Sequence, residues 1–288
     1  MGAELERIGE AVWIMPADRR TDRPILAAVV GRERCLLIDA GNSPAHAALF
    51  REALLARGIR LPDFLVLTHW HWDHSFGMSS WEAPAIACED TALALEVLSK
   101  QSSWDDESID GLIGAGLCSE GSKRDIRAEY GEDRSSIRIV LPTIRFTSKL
   151  SVDLGSLTCV IERVGGDHSP DSCFVLLREE GILFTGDALG PSVYGGPRSY
   201  TSENFLRLIR LASARDLKII VESHGAPMSR DAFVADIEPW AALARSARRA
   251  GADRARLLED LAREIGPGGV SEDLEQAADW FIAGLLPE

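Results

Sequence analysis

The chain has 288 residues, a formal net charge of −14 and an apolar fraction of 45%. That length and apolar content support a sizeable core, while the acidic balance excludes a nucleic-acid polyanion as the main partner, because phosphate backbones are met by clustered Lys and Arg. No stretch approaches the roughly 20 apolar residues of a membrane span, and the start, Met1-Gly2-Ala3-Glu4-Leu5-Glu6, lacks the basic and apolar regions of a signal peptide. A cytoplasmic protein with neither membrane nor nucleic acid as partner is expected.

In chain order, apolar runs predict strands near Ala11 to Met15, Ile25 to Val30 and Arg34 to Ile38. A helix follows from about Pro44 to Arg57, with Pro44 suited to the first turn and Gly58 ending it. The run Phe64-Leu65-Val66-Leu67 predicts another strand, and it leads directly into His69-Trp70-His71-Trp72-Asp73-His74. Residues 89–136 differ in character: Thr91 to Lys100 looks helical, and the rest is rich in Ser, Asp, Glu and Gly. Such a stretch is too long for a plain loop, so a mostly helical insertion over the site is expected, the alternative being a peripheral solvated excursion.

Strand-like runs resume from Ile137 to Val164 and from Cys173 to Phe184. A helix over Glu203 to Ala214 precedes a strand through Lys218 to Val221, and the chain beyond Pro227 reads as helical to its end. There Leu257, Leu258, Leu261 and Ile265 share one face, as do Leu274, Ala278, Phe281 and Leu285, the stripe of an amphipathic helix packed on a core or interface. The expected organisation is a catalytic domain over 1–226, with 89–136 inserted in it, and a C-terminal helical extension over 227–288. Whether copies of the chain form a homo-oligomer is left open.

The hexapeptide at 69–74 carries the chemistry. Three imidazoles and a carboxylate crowd into six residues at the end of a strand, and a cation makes that crowding favourable. Of the six histidines in the chain, only His46 stands apart from such a setting. His168 lies in the turn Gly165-Gly166-Asp167-His168-Ser169-Pro170, and His224 follows the run ending at Val221. Asp187 closes Ile182-Leu183-Phe184-Thr185-Gly186, and Asp39 closes Leu36-Leu37-Ile38. Ligand-type residues thus recur just past the carboxyl ends of separate apolar runs, which predicts one site assembled from loops on a rigid sheet. In an extended segment His69 and His71 point to one side, toward one ion, while Asp73 and His74 on the turn beyond can reach another. By the same alternation Trp70 and Trp72 are expected to face away, as packing.

In these residues the chain resembles a metallo-β-lactamase-fold hydrolase. The elements that match are Asp39, His69-x-His71-x-Asp73-His74, His168, Asp187 and His224, spread over residues 39–224. The resemblance implies a four-layer αββα sandwich of the α+β class. It also implies two divalent metal ions, the first held by His69, His71 and His168 and the second by Asp73, His74 and His224. Asp187 would bridge them, a water or hydroxide would lie between, and Asp39 would support the ligands from behind. Zinc is the first choice of metal, with manganese and iron also accepting this nitrogen and oxygen set.

The implied reaction is hydrolysis of an ester-like bond in a small molecule, a lactone, thioester or phosphodiester, by a metal-bound hydroxide. Lactam-cleaving members of the family use other residues at the position of Asp187, so a true β-lactamase is not expected. Glyoxalase-like and lactonase-like members commonly continue the motif with two glycines, where this chain has Ser75-Phe76-Gly77. The alternative is an oxidoreductase of the persulfide dioxygenase kind, which uses a single iron held by two histidines and an aspartate. A binding module without catalysis is disfavoured, since no ligand position is missing.

Beyond the ligands, Asp73 and Asp39 are candidates for catalytic work, and Tyr194 in the loop Gly190 to Arg198 is a candidate donor to a developing oxyanion. Arg198 is a candidate for holding a carboxylate or phosphate. The plainer reading of that loop is a connection in which Gly and Pro make the turn and the tyrosine packs. Trp104, Arg124, Arg127 and Tyr130 of the insertion are candidates for the pocket wall, with ordinary surface roles expected. Cys35, Cys88, Cys118, Cys159 and Cys173 are scattered and odd in number, which reads as free thiols in a reducing compartment.

Overall fold

The computed structural model describes residues 4–214 and 216–285. The chain begins with four strands, β1 (Glu6–Ile8), β2 (Val12–Met15), β3 (Leu26–Val30) and β4 (Cys35–Ile38), followed by helix α1 (Pro44–Ala56) and strand β5 (Phe64–Val66). A short helix α2 (Trp72–Ser75) leads to β6 (Ala85–Cys88), helices α3 (Glu89–Leu98), α4 (Asp106–Gly114) and α5 (Glu120–Tyr130), and β7 (Ile144–Phe146). The second half contains β8 (Lys149–Asp153), β9 (Thr158–Arg163), β10 (Cys173–Leu177), β11 (Ile182–Gly186), α6 (Ser202–Ala212), β12 (Ile219–Glu222) and β13 (Met228–Ser229). Three helices close it, α7 (Arg230–Ala250), α8 (Arg254–Ile265) and α9 (Glu272–Ala283).

Strands β1 to β7 form one sheet in sequence order, antiparallel as far as β4 and parallel from β4 to β7. The other sheet runs β13-β12-β11-β10-β9-β8, with β11 and β12 its parallel pair. Side-chain alternation shows how the layers stack, because neighbouring residues of a strand point to opposite faces. In β4, Leu36 and Ile38 enter the core between the sheets, while Cys35 and Leu37 join Phe50 and Leu54 of α1. In β10, Cys173, Val175 and Leu177 face the other sheet, and Phe174 faces Phe205 of α6 and Phe233 of α7. The result is the four-layer αββα sandwich.

Strands buried on both faces read as unbroken apolar runs, which is why β3, β4, β10 and β11 are legible in the sequence. Helix α1 follows the expected chemistry: Ser43 caps it by accepting the amide of His46 at 3.0 Å, and Pro44 occupies its first turn. Several expectations are corrected. Residues 137–143 are irregular, with strand beginning at Ile144, and β13 precedes the C-terminal helices. The helical stripes of α8 and α9 are buried at Leu257, Leu261, Leu274, Ala278 and Phe281, but Leu285 lies past the end of α9 and is 44% exposed. Trp104 and Tyr130 of the insertion are packing residues rather than surface ones: Trp104 meets Phe76 edge-on, and the Tyr130 hydroxyl donates to the carbonyl of Asn42 at 3.0 Å.

Candidate metal centre

All the loops named from the sequence open on one rim of the sandwich. Asp39 follows β4, the 69–74 motif follows β5, His168 lies between β9 and β10, and Asp187 and His224 follow β11 and β12. The motif itself is irregular backbone as far as His71 and then turns into α2, which carries Asp73 and His74. The alternation argument therefore applies to His69 and His71 only. Trp72 packs on Phe76, but Trp70, though buried, does not turn away: its ring stands edge-on to His71 at 4.8 Å between centroids. The turn of α2 lets the motif fold back on the Asp39 loop, where Gly77 comes so close that a β-carbon would lie 2.1 Å from the Ala40 carbonyl oxygen.

Two groups of potential ligands result. His69, His71 and His168 form one, and Asp73, His74, Asp187 and His224 the other, with the ligand atoms of each lying within 4.8 Å of one another. Asp187 stands between them, its Oδ2 being 3.5 Å from His168 Nε2 and 3.3 Å from the Nε2 atoms of both His74 and His224. Asp73 Oδ2 is 2.9 Å from His74 Nε2 and 3.1 Å from His224 Nε2. The Nε2 atoms of His69 and His168 are buried and have no hydrogen-bond partner among the described residues, which costs free energy unless something accepts their lone pairs.

The far sides of the His168 and His74 rings are held. His168 Nδ1 lies 3.2 Å from the Pro191 carbonyl, so it donates there and leaves Nε2 as the lone-pair atom. His74 Nδ1 lies 2.8 Å from Asp39 Oδ2, while Asp39 also accepts the Thr68 amide at 2.8 Å and the Thr68 hydroxyl. Carboxylate and carbonyl partners of this kind orient metal-binding imidazoles. To take that position Asp39 adopts φ +60°, a conformation tolerated by aspartate more readily than by most residues. Gly186 has φ +56° beside Thr68 and aims Asp187 into the site.

The two groups are electrostatically unlike. Burial, together with the neighbouring imidazoles, holds His69, His71 and His168 below the ordinary histidine range, so all three favour the neutral form that binds metals. Burial pulls His74 and His224 the same way, but Asp73 and Asp187 outweigh it and hold both well above that range. Burial likewise opposes ionisation of Asp73 and Asp187, and the adjacent imidazoles reverse it and keep both carboxyls well below the usual value. The arrangement is a cluster of neutral imidazoles beside one in which two ionised carboxylates face two imidazoles, a donor set that fits divalent cations.

A cavity of about 990 Å³ opens over both groups. Its far wall comes from Ile113 of α4, from Ser119 to Ser122 and Arg124 around the start of α5, and from Tyr194 and Arg198. The Tyr194 ring lies on His71, with centroids 4.2 Å apart, and its hydroxyl is 3.1 Å from Ser122 Oγ. Arg198 lines the cavity while stacking over Trp280, and Arg124 lines it while bonded to Asp125; Arg127 instead pairs with Asp106. His46 lies outside the site, buried beneath the Asp39 loop.

Sequence reasoning missed Thr68, Asp22 and Arg19, the last two of which line the cavity. Thr68 braces Asp39, and its place between β5 and His69 was the available signal. Asp22 lies 3.6 Å from His224 Nδ1 at φ +54°, in the charged stretch Asp18 to Arg23 that gives no hint of it.

A search of the curated proteins gave no match. Among solved structures, a metallo-beta-lactamase from Pontibacter korlensis is similar at 20% identity and a TM-score of 0.56, covering 82% of this chain and 97% of its own. A metallo-beta-lactamase family protein from Thermus thermophilus is similar at 17% identity and a TM-score of 0.57, with 87% of each chain covered. A stereoselective inverting sec-alkylsulfatase from a Pseudomonas species is similar at 13% identity and a TM-score of 0.63 over 96% of this chain, which spans about half (47%) of that longer protein. The sequence profile described as "Metallo-beta-lactamase superfamily" matches residues 20–257, and the chain belongs to that superfamily.

Proposed function

We propose that the protein is a dinuclear metal-dependent hydrolase that cleaves an ester-like bond, a lactone, thioester or phosphodiester, in a small molecule. The observation that carries this reading is the position of Asp187, whose one carboxylate oxygen is within 3.5 Å of an imidazole nitrogen of the first group and within 3.3 Å of two in the second. A carboxylate so placed would serve two ions, whereas a single iron held by two histidines and an aspartate would leave Asp73, His74 and His224 without a task. When bound, a pair of divalent ions supplies an activated water and Lewis-acid stabilisation of the oxygens in the reacting bond.

The chain's own residues do the rest. His69, His71 and His168 present neutral lone pairs, Asp39 fixes the His74 ring, and Asp73 keeps an ionised carboxylate at the cavity wall. The Tyr194 hydroxyl, now on Ser122, is the donor for a substrate oxygen in the cavity. A volume of about 990 Å³ suits a small-molecule substrate. The five cysteines are free and buried, which supports a reducing, cytoplasmic setting with zinc, manganese or iron as the available metals. Among the described residues no helix is long and apolar enough to cross a membrane.

The test is metal quantification on protein purified without added metal and again after loading. It is followed by a hydrolysis screen over lactone, thioester, phosphodiester, β-lactam and alkyl sulfate panels, the last suggested by the sulfatase neighbour. Close to two ions per chain with turnover of an ester-like substrate is expected. A stoichiometry that stays at or below one after loading overturns the dinuclear reading, and oxygen consumption by an iron-loaded form would replace it with the dioxygenase one.

A further inference from the structure

Asp171 is almost wholly enclosed, at 2% exposure, and lies where the two halves of the three-histidine group meet. Its Oδ2 accepts the backbone amide of Trp70 at 2.9 Å and the hydroxyl of Thr91 in α3 at 2.6 Å, and its Oδ1 accepts the hydroxyl of Ser169. Its own carbonyl accepts from the thiols of Cys88 in β6 and Cys173 in β10, each at 3.3 Å. Trp70 is the residue between His69 and His71, and Ser169 is the residue after His168. One carboxylate therefore grips both segments that supply the group, while Thr91 ties it to the insertion. Burial pushes this carboxyl above the usual range and the donors from Ser169, Thr91 and Trp70 work against that.

We propose that Asp171 is a positioning residue that sets the separation of His69 and His71 from His168, and so tunes metal affinity at that group without touching the metal. The inference rests on the reading that the three histidines hold an ion. The physical reason is one of tolerance: metal-ligand distances are constrained to about 0.2 Å, and the Trp70 peptide connects both motif histidines. Without its acceptor, the buried Trp70 amide loses a hydrogen bond and shifts to recover one, moving both rings. The fold has an independent tie at the same seam, the Cys173 amide to the Thr68 carbonyl at 2.8 Å, so the strands stay joined when the carboxylate is removed.

The experiment uses the full chain carrying His224→Ala, which strips a ligand from the second group so that the three-histidine group dominates the reading, titrated with cobalt(II) and followed by its visible spectrum and by competition with a chelator. Asp171→Ala is expected to weaken cobalt about 10- to 100-fold, the range for residues that orient metal ligands, and to alter the spectrum. Asp171→Asn, which retains an oxygen for Trp70, is expected to restore most of the affinity. Ser169→Ala, milder for folding, is expected to cost a few-fold and keeps the question answerable should the Asp171→Ala chain not fold. A purely structural Asp171 would lower the melting temperature of these variants and leave affinity and spectrum unchanged, which overturns the inference. Absence of cobalt binding in the parent, with His69→Ala indistinguishable from it, overturns the metal-centre reading as well.

Discussion

Asp39 and His74 form a buried pair, with Oδ2 of one 2.8 Å from Nδ1 of the other and neither side chain more than 1% exposed. The contact turns Nε2 of His74 toward Asp73 and Asp187. Replacing Asp39 by Asn is expected to weaken the metal at the aspartate-containing group by about 10- to 100-fold, with less effect at the three histidines. Titration with a chromophoric chelator measures both groups; equal losses at the two would show that Asp39 acts on the rim as a whole.

Asp187→Ala is expected to leave a folded protein with about one metal ion and hydrolysis reduced by a factor on the order of 100 or more, since the residue joins the two groups. Circular dichroism, metal content and turnover on the same preparation check this. Wild-type turnover in the variant would remove Asp187 from the reaction.

Helix α5 is fastened to the core by Glu129, whose 1% exposed carboxylate meets Arg23 at 2.7 Å and the hydroxyl of Ser43. Because breaking such a pair leaves a poorly solvated charge, Glu129→Ala is expected to cost about 2–3 kcal/mol of stability, less than a fully buried pair since Arg23 is one-fifth exposed. Replacing 106–130 by a short loop is expected to change substrate preference and keep metal content, because no ligand lies there. Denaturant melts and metal analysis test the two statements, and metal loss in the loop variant would contradict the second.

His46 gives a pH dependence of stability separate from the metal centre. Burial, reinforced by Arg23, lowers its pKa from 6.5 to about 3, and its Nδ1 accepts from the Asn42 amide. The unfolded chain therefore binds this proton first as pH falls, so stability is unaffected above about 6.5 and declines below it until about pH 3. The loss attributable to His46 is roughly 3 kcal/mol by pH 4. His46→Gln, which keeps an acceptor without the titration, should flatten that part of the curve in denaturant melts from about pH 7 to about pH 4. A variant with the same slope would place the acid sensitivity elsewhere.

Much of the site was legible because its ligands are rare residue types placed directly after apolar runs, as with Asp39 after Ile38 and Asp187 after the run through Phe184. Strands β1 and β6 were not, because Glu6-Arg7-Ile8 and Ala85-Ile86-Ala87-Cys88 are short and lack a strong pattern; they become strands through pairing with β2 and β5. The contacts of Trp70 escaped sequence reading for another reason. Alternation assumes extended backbone, and the start of α2 at Trp72 ends it. Asp171 meets Trp70 and Asp22 meets His224 across more than 100 residues of chain, a separation no local pattern records.

The two groups of ligands share a further property of the fold. The first takes His69 and His71 from the half built on β1 to β7 and His168 from the half built on β8 to β13. The second takes Asp73 and His74 from the former and Asp187 and His224 from the latter. On the dinuclear reading proposed above, neither ion would find its full ligand set until the halves have docked, so each would act as a staple across the seam, captured late in folding and resisting separation of the sheets afterwards. Loading with metal would then raise the unfolding temperature of both sheets together, turning two packed halves into one cooperative unit.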